Sequence, residues 1–141
     1  MDDRKITETL AKHALWLHGE PFGARAKLDH EVITNRDFRG VDLRDISFRE
    51  ADLSFCDFSG ANLSNANLSG ATLRGCNFAG ARLENADLSH ADLREAVIEG
   101  ADLSGTDIWR TNLFGAVISP ETLHRVLGCV APGARRAGQA G

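Results

Sequence analysis

The chain has 141 residues, 43% of them hydrophobic and 26% charged, with a formal net charge of −4 at pH 7. That balance describes one globular domain rather than a disordered segment, and its acidity argues against direct binding of nucleic acid. No apolar run approaches the ~18 residues of a membrane span, and the start MDDRKITETL is unlike a signal peptide, so a cytoplasmic protein without a membrane partner is expected.

At the start of the chain, Ile6, Leu10, Ala14 and Leu17 recur at helical spacing, Asp3 is a candidate N-cap, and Gly19 with Pro21 supplies a stop. The spacing predicts an amphipathic helix over about residues 5–18, inside a capping and lead-in segment of residues 1–25. Phe22 is expected to plug the core behind that helix, and His13 and Trp16, on one helix face, read as cap packing.

From Leu28 to Leu123 every fifth residue is Leu, Ile or Phe, without a skipped beat. Over most of the run a small residue stands two positions earlier, as in Ala51, Cys56, Ala61 and Ala66. A period of five matches neither the 3.6 of a helix nor the 2 of a strand, so the chain must turn a corner every five residues. Phe38, Phe58 and Phe78 are 20 apart, as are Gly40, Gly60, Gly80 and Gly100, which puts four pentapeptides in each turn. The expected architecture is an all-β, four-sided parallel solenoid over residues 26–120, with both apolar positions of each unit pointing inward. At about 4.8 Å per coil it would be a rod roughly 23 Å long. Phe58 should stack between Phe38 and Phe78, and Cys56 and Cys76 should be buried thiols standing in for alanine. Glu31, Arg36, Val41 and Ile46 depart from the small slot early, and Thr106, Thr111 and Glu121 late, so loose or bulged first and last turns are expected.

Beyond the repeats, Ser119-Pro120-Glu121 is a helix start: a cap, a proline in the first turn, then an acid near the positive end of the dipole. Leu123, Val126 and Leu127 form one apolar stripe of a helix expected over 121–128, and residues 129–141, with Cys129, have the composition of a disordered tail. Trp109 and Phe114 take outward slots normally held by Ser, Arg or Glu, and Val97 and Val117 replace Asp or Asn. That apolar end must be covered by the terminal helix or by a partner.

Units such as ADLSF, CDFSG, ANLSN, ANLSG, ADLSH and ADLRE resemble the pentapeptide-repeat family, A-(D/N)-L-x-x. The resemblance implies a right-handed quadrilateral β-helix, which the short helices expected at the two ends of the repeat would cap. It also implies dimerisation through the C-terminal end, making Trp109, Phe114, Leu123, Val126 and Leu127 the expected interface. Members of the Qnr and MfpA type bind DNA gyrase and confer fluoroquinolone tolerance, and the uninterrupted repeat here is similar to the MfpA form. The stretch HALWL…GARAKL resembles the lead-in of some phage-borne members, for which a CRISPR or restriction effector would be the target.

Catalysis finds no support in the residues. The five histidines have no metal-spaced partners, and no phosphate loop, nucleophile elbow or zinc signature is present, so neither an enzyme nor a cofactor is expected. Charge is more informative. Residues 50–109 carry ten acids against three bases, whereas residues 110–141 carry one acid against four bases. Three coils would then hold one net negative charge per ~2 Å, near the one per ~1.7 Å of duplex DNA. Two readings stay open. In the first, Asp87, Asp92, Glu95, Glu99, Asp102 and Asp107 form an acidic DNA mimic for a bacterial DNA-handling protein. In the second, the chain is a structural adaptor that holds its partner through the aromatic end. Most of the aspartates precede a central Leu, where a short polar side chain also serves the turn.

Overall fold

A computed structural model describes residues 1–126. Helix α1 (Asp3–Leu17) is capped by Asp2, whose side chain accepts the Lys5 N–H at 2.8 Å. The helix therefore starts earlier than its apolar spacing suggested, and the cap is Asp2 rather than Asp3. Its inner stripe is Ile6, Leu10 and His13, with Ala14 turned to solvent. Helix α2 (Pro120–Val126) follows the last coil. Leu127, Gly128 and the tail expected over 129–141, with Cys129, lie outside the described residues.

Between the helices the chain coils with 20 residues per turn. Fifteen parallel bridges run from Lys27 with Ser47 to Val97 with Val117, each joining residues 20 apart. Every wall has room for one bridging residue, because the next corner follows at once. The hydrogen bonds repeat with the same beat. The central residue's N–H donates to a carbonyl 19 positions on, as Leu28 does to Ser47 at 2.7 Å. The residue before it donates 21 positions back, as Ser47 does to Ala26 at 3.1 Å.

Each corner is a four-residue turn. Eighteen residues at five-residue intervals, from His30 to Gly115, have φ between +56° and +73°. This is the left-handed third position of a type II turn, which favours Gly and Asn. Eleven of the eighteen are Gly or Asn. Phe55 is a costly exception, and Gly75 one coil above leaves room for it: a Cβ there would come within 2.5 Å of the Phe55 ring. At the position before the central residue, Asp or Asn where present accepts the N–H two residues on, from Asp37 with Arg39 (3.0 Å) to Asn112 with Phe114 (3.1 Å), while Ser47, Thr72, Arg82 and Val97 fill the slot in the other units of that span. That bond closes the corner from inside the unit.

The interior is filled. Phe58 stacks between Phe38 at 5.0 Å and Phe78 at 5.2 Å, and Phe48 meets Phe38 and Phe58 edge-on. Cys56 and Cys76 are buried free thiols whose Sγ–H groups donate to the carbonyls of Ile33 (2.9 Å) and Leu53 (3.0 Å). Burial pushes the thiols up to about 11 and about 12 respectively, which leaves them inert at neutral pH.

The turns expected to be loose are regular. Bridges pass through the first and last coils in unbroken register. Glu31 and Arg36 are large because each ends its own column against α1 instead of another coil: Glu31 lies 4.0 Å from the N-terminal ammonium, and Arg36 pairs with Asp3. Ile46 is fully buried. At the far end, Thr106 and Thr111 donate through Oγ1 to the carbonyls of Leu83 and Leu88, both at 2.8 Å, as the cysteines do lower down. Phe22 is not a plug: it sits on a turn closed by Gly23 N–H to Glu20 O (3.3 Å) and is 93% exposed.

Candidate functional site

A packed column leaves two places where function can reside, the outer skin and the ends. The void along the upper core, between Phe78 and Ile118, is about 10 Å³, no more than one water needs. A cleft of about 350 Å³ lies where α2 meets the last coil, lined in part by Ser104, Thr106, Thr122 and Arg125. Among the described residues it contains no nucleophile paired with a base. Among the described residues no group of three or more His, Cys, Asp or Glu is placed to hold a metal ion. No described helix is long and apolar enough to cross a membrane.

The six candidate acids are distributed around the column rather than gathered on one wall. Asp87 and Asp107 are bridged neighbours on the wall centred on Leu88, and Asp92 and Glu95 belong to the next wall. Glu99 stands on the third wall and Asp102 on the fourth, where it bridges Arg82. Their surroundings divide them further. Asp92 is gripped at both oxygens by Arg94, with contacts of 2.7–3.0 Å, which holds its carboxyl below the usual range. Glu95 reaches Arg74 at 3.5 Å. Among the described residues, no ion pair involves Asp87, Glu99, Asp102 or Asp107. Hydrogen bonds from Ser104 keep the Asp102 carboxyl below its ordinary value, so it stays charged well into the acid range. Near the other end, Arg39 and Arg44 are spent on their own corner aspartates, Asp37 and Asp42.

Among the described residues the C-terminal end is open. The inward residues Leu103, Ile108, Leu113 and Ile118 of the last coil are only partly buried, although Leu123 and Val126 of α2 line the same apolar region. Trp109 is 65% exposed and Phe114 79%, so the described part of α2 covers neither; Arg110 lies over the Trp109 ring at 5.7 Å. Val117 is exposed on the third wall. Leu127 of the expected interface falls outside the described residues.

Two features escaped the sequence reading. The left-handed corner slot was legible in its excess of Gly and Asn, and the anchoring of α1 through Glu31 and Arg36 was hidden among apparent defects of the repeat.

Comparison with known proteins agrees with this geometry. The family profile described as pentapeptide repeats, in eight copies, matches over residues 33–65, 61–100, 71–110 and 81–119. The chain is similar to a solved pentapeptide repeat protein, Rfr23, from the cyanobacterium Cyanothece 51142 (31% identity, TM-score 0.65, 66% of this chain and 64% of that one). It is also similar to HetL of Nostoc sp. strain PCC 7120, involved in heterocyst differentiation regulation (30% identity, TM-score 0.58, 67% of this chain and 48% of that one). QnrB1, a plasmid-mediated fluoroquinolone resistance protein, aligns at 18% identity with a TM-score of 0.36 over 77% of this chain and 73% of its own. The chain thus spans about two-thirds of the length of Rfr23 and about half that of HetL. No curated protein matches it. With its repeats matched across most of the coil and a 20-residue parallel ladder beneath them, the chain belongs to the pentapeptide-repeat family.

Proposed function

We propose that the chain is a non-catalytic, cytoplasmic protein-binding module whose acidic upper coils act as a DNA mimic. It would occupy the DNA-binding surface of a bacterial DNA-handling protein. DNA gyrase or topoisomerase is the target the family resemblance puts first, with a CRISPR or restriction effector in its place if the chain is phage-borne. In this reading the coil has the family's right-handed sense, and two copies meet at their C-terminal ends to give a rod of about 46 Å.

One observation carries the reading. The corner turn does not require a charge: Asn67 accepts the Ser69 N–H at 3.0 Å just as Asp87 accepts that of Ser89 at 2.9 Å, and Asn62, Asn77 and Asn112 serve equally. The charge at Asp87 and Asp107 is therefore not required by the turn, whereas Asp102 also has Arg82 beside it in the ladder. Asp87 directly neighbours Asp107 in the ladder, and like charges so placed repel. A surface function accounts for that cost.

The same substitution supplies the test. Asp87→Asn, Glu99→Gln, Asp102→Asn and Asp107→Asn together remove four charges while keeping every turn acceptor. The combined variant should melt at or slightly above the parent's temperature, since the Asp87–Asp107 repulsion is relieved, yet lose binding to purified gyrase, measured at 50 and 200 mM salt. Parental binding should fall about tenfold or more across that range. Unchanged affinity in the variant would sink the mimic.

A second reading, an adaptor held through the aromatic end, is favoured by the exposure of Trp109 and Phe114. It requires partner binding that ignores salt and disappears in Trp109→Ala.

A further inference from the structure

We infer that His13 is a proton-sensitive latch that fastens α1 over the first coil, and that acidification opens this end of the column while leaving the coils intact. The inference is independent of the DNA-mimic reading.

The latch rests on two hydrogen bonds between the His13 ring and the backbone. The Ala26 N–H donates to His13 Nδ1 at 3.0 Å, and His13 Nε2 lies 2.9 Å from the Arg44 carbonyl oxygen. An amide N–H can only donate and a carbonyl can only accept. Nε2 must therefore carry the hydrogen, and Nδ1 must be bare. Only the neutral ring, in that one tautomer, satisfies both partners.

Protonation places a second N–H on Nδ1, pointing at the Ala26 N–H in a site where His13 is 1% exposed. Two donors then face each other without water to separate them, which costs an unsatisfied buried group on each side. Trp16 stacks on the imidazole at 5.5 Å and helps to close the site. The charges around the ring come from each packed element. Asp42 and Asp45 of the first coil favour the cation, and Arg25 of the lead-in segment opposes it. Arg44, also on the coil, is occupied by Asp42. Burial outweighs the acids and lowers the His13 pKa from its ordinary value of 6.5.

The sign follows from that direction. A histidine with a depressed folded pKa lends its stability fully above the unfolded value of about 6.5 and loses it as pH falls through the lower folded value. What the latch joins decides the consequence. Ala26 begins the ladder, since its carbonyl accepts the Ser47 N–H at 3.1 Å. Most of the other ties between α1 and the coil lie in its first half: Ile6, the Arg36–Asp3 pair, and the N-terminus near Glu31 at 4.0 Å. The Ala24 N–H to Lys12 O bond at 2.9 Å sits beside the latch and would go with it. Opening would bare the edge of the first coil, with Leu28, Ile33 and Phe38 beneath it, and an uncovered strand edge is a surface for pairing with another chain.

The test uses the full chain and two measurements. Nitrogen-15 NMR of the His13 ring at pH 7.5 should show hydrogen on Nε2 and none on Nδ1; the opposite tautomer would overturn the inference without any variant. Amide-exchange protection factors should then be followed from pH 7.5 to 5. Protection of the Ala26 amide and of the second half of α1 should fall, approaching about tenfold per pH unit once one proton is taken up. Protection at Asn67 and Asp87 in the middle coils should hold. His13→Gln, whose amide can accept from Ala26 and donate to Arg44, should remove the pH dependence. Equal loss throughout the chain, or protection at α1 that ignores pH, would refute the latch.

Discussion

The two ends of the column meet the same physical problem in different ways. A coil at either end has an unpaired edge and an apolar interior that must be kept from water or offered to a partner. At the N-terminal end α1 closes the interior, so Leu28, Ile33, Phe38 and Leu43 are at most 2% exposed. At the C-terminal end the equivalent residues Leu103, Ile108, Leu113 and Ile118 remain partly open, and Trp109 and Phe114 stand in solvent beside them. The closed end spends polar specificity on its own chain, through His13, Arg36 and Glu31. The open end spends apolar surface on no contact within the described residues. Both ends show exposed aromatics, Phe22 at the first and Trp109 and Phe114 at the second, but among the described residues only the second leaves its inward residues partly open.

Three experiments break or sharpen this contrast. The largest effect is expected from one residue inserted after Gly70, midway between the ends. Every later side chain would leave its column, so the cost should exceed the about 3–5 kcal/mol of emptying a core phenylalanine. In urea melts followed by amide exchange, the capped half should outlast the distal half. Parental melting in that variant would contradict the 20-residue register. A smaller loss is expected from Gly23→Ala. A Cβ there would lie 2.4 Å from the Trp16 backbone nitrogen and 2.6 Å from its Cα, an overpacking that costs about 1–3 kcal/mol. Exchange should show the loss concentrated in α1, and an effect spread evenly along the coils would mean that the cap is not a separate unit. The smallest effect on stability should come from Trp109→Ala combined with Phe114→Ser, within about 0.5 kcal/mol because both side chains are exposed. Sedimentation should instead show a shift from dimer to monomer. A large drop in stability with no change in mass would place those aromatics under the chain's own covering.

Much of this contrast was legible in the residues. The five-residue beat forces the corners, seen as positive φ at every fifth residue, and the 20-residue column of Phe38, Phe58 and Phe78 forces the stack, realised at 5.0 and 5.2 Å. The irregular slots were harder to read. Glu31 and Arg36 resemble errors in a repeat because a one-dimensional pattern does not say that α1, rather than another coil, lies beneath them. His13 was placed on the helix face with Trp16, but its backbone partners 13 and 31 residues away exist only after the chain has turned its first corners. Phe22 shows the opposite error. An aromatic beside a cap reads as core, yet the Glu20–Gly23 turn carries it outward.

The candidate site divides in the same way. The excess of acids in residues 50–109 was a matter of counting. Which of them remain unneutralised was decided by side-chain reach: Arg94 takes Asp92 and Arg74 takes Glu95, whereas Asp87, Glu99, Asp102 and Asp107 have no ionic partner among the described residues.

By itself, the order of residues determined the coil, its register and its solid interior, because a strict period leaves each side chain one place to go. Only the folded structure decided how α1 is fastened and, among the described residues, which acids have no ionic partner and which end keeps its inward residues partly open. Those depend on contacts between residues far apart in the chain, which a local period does not encode.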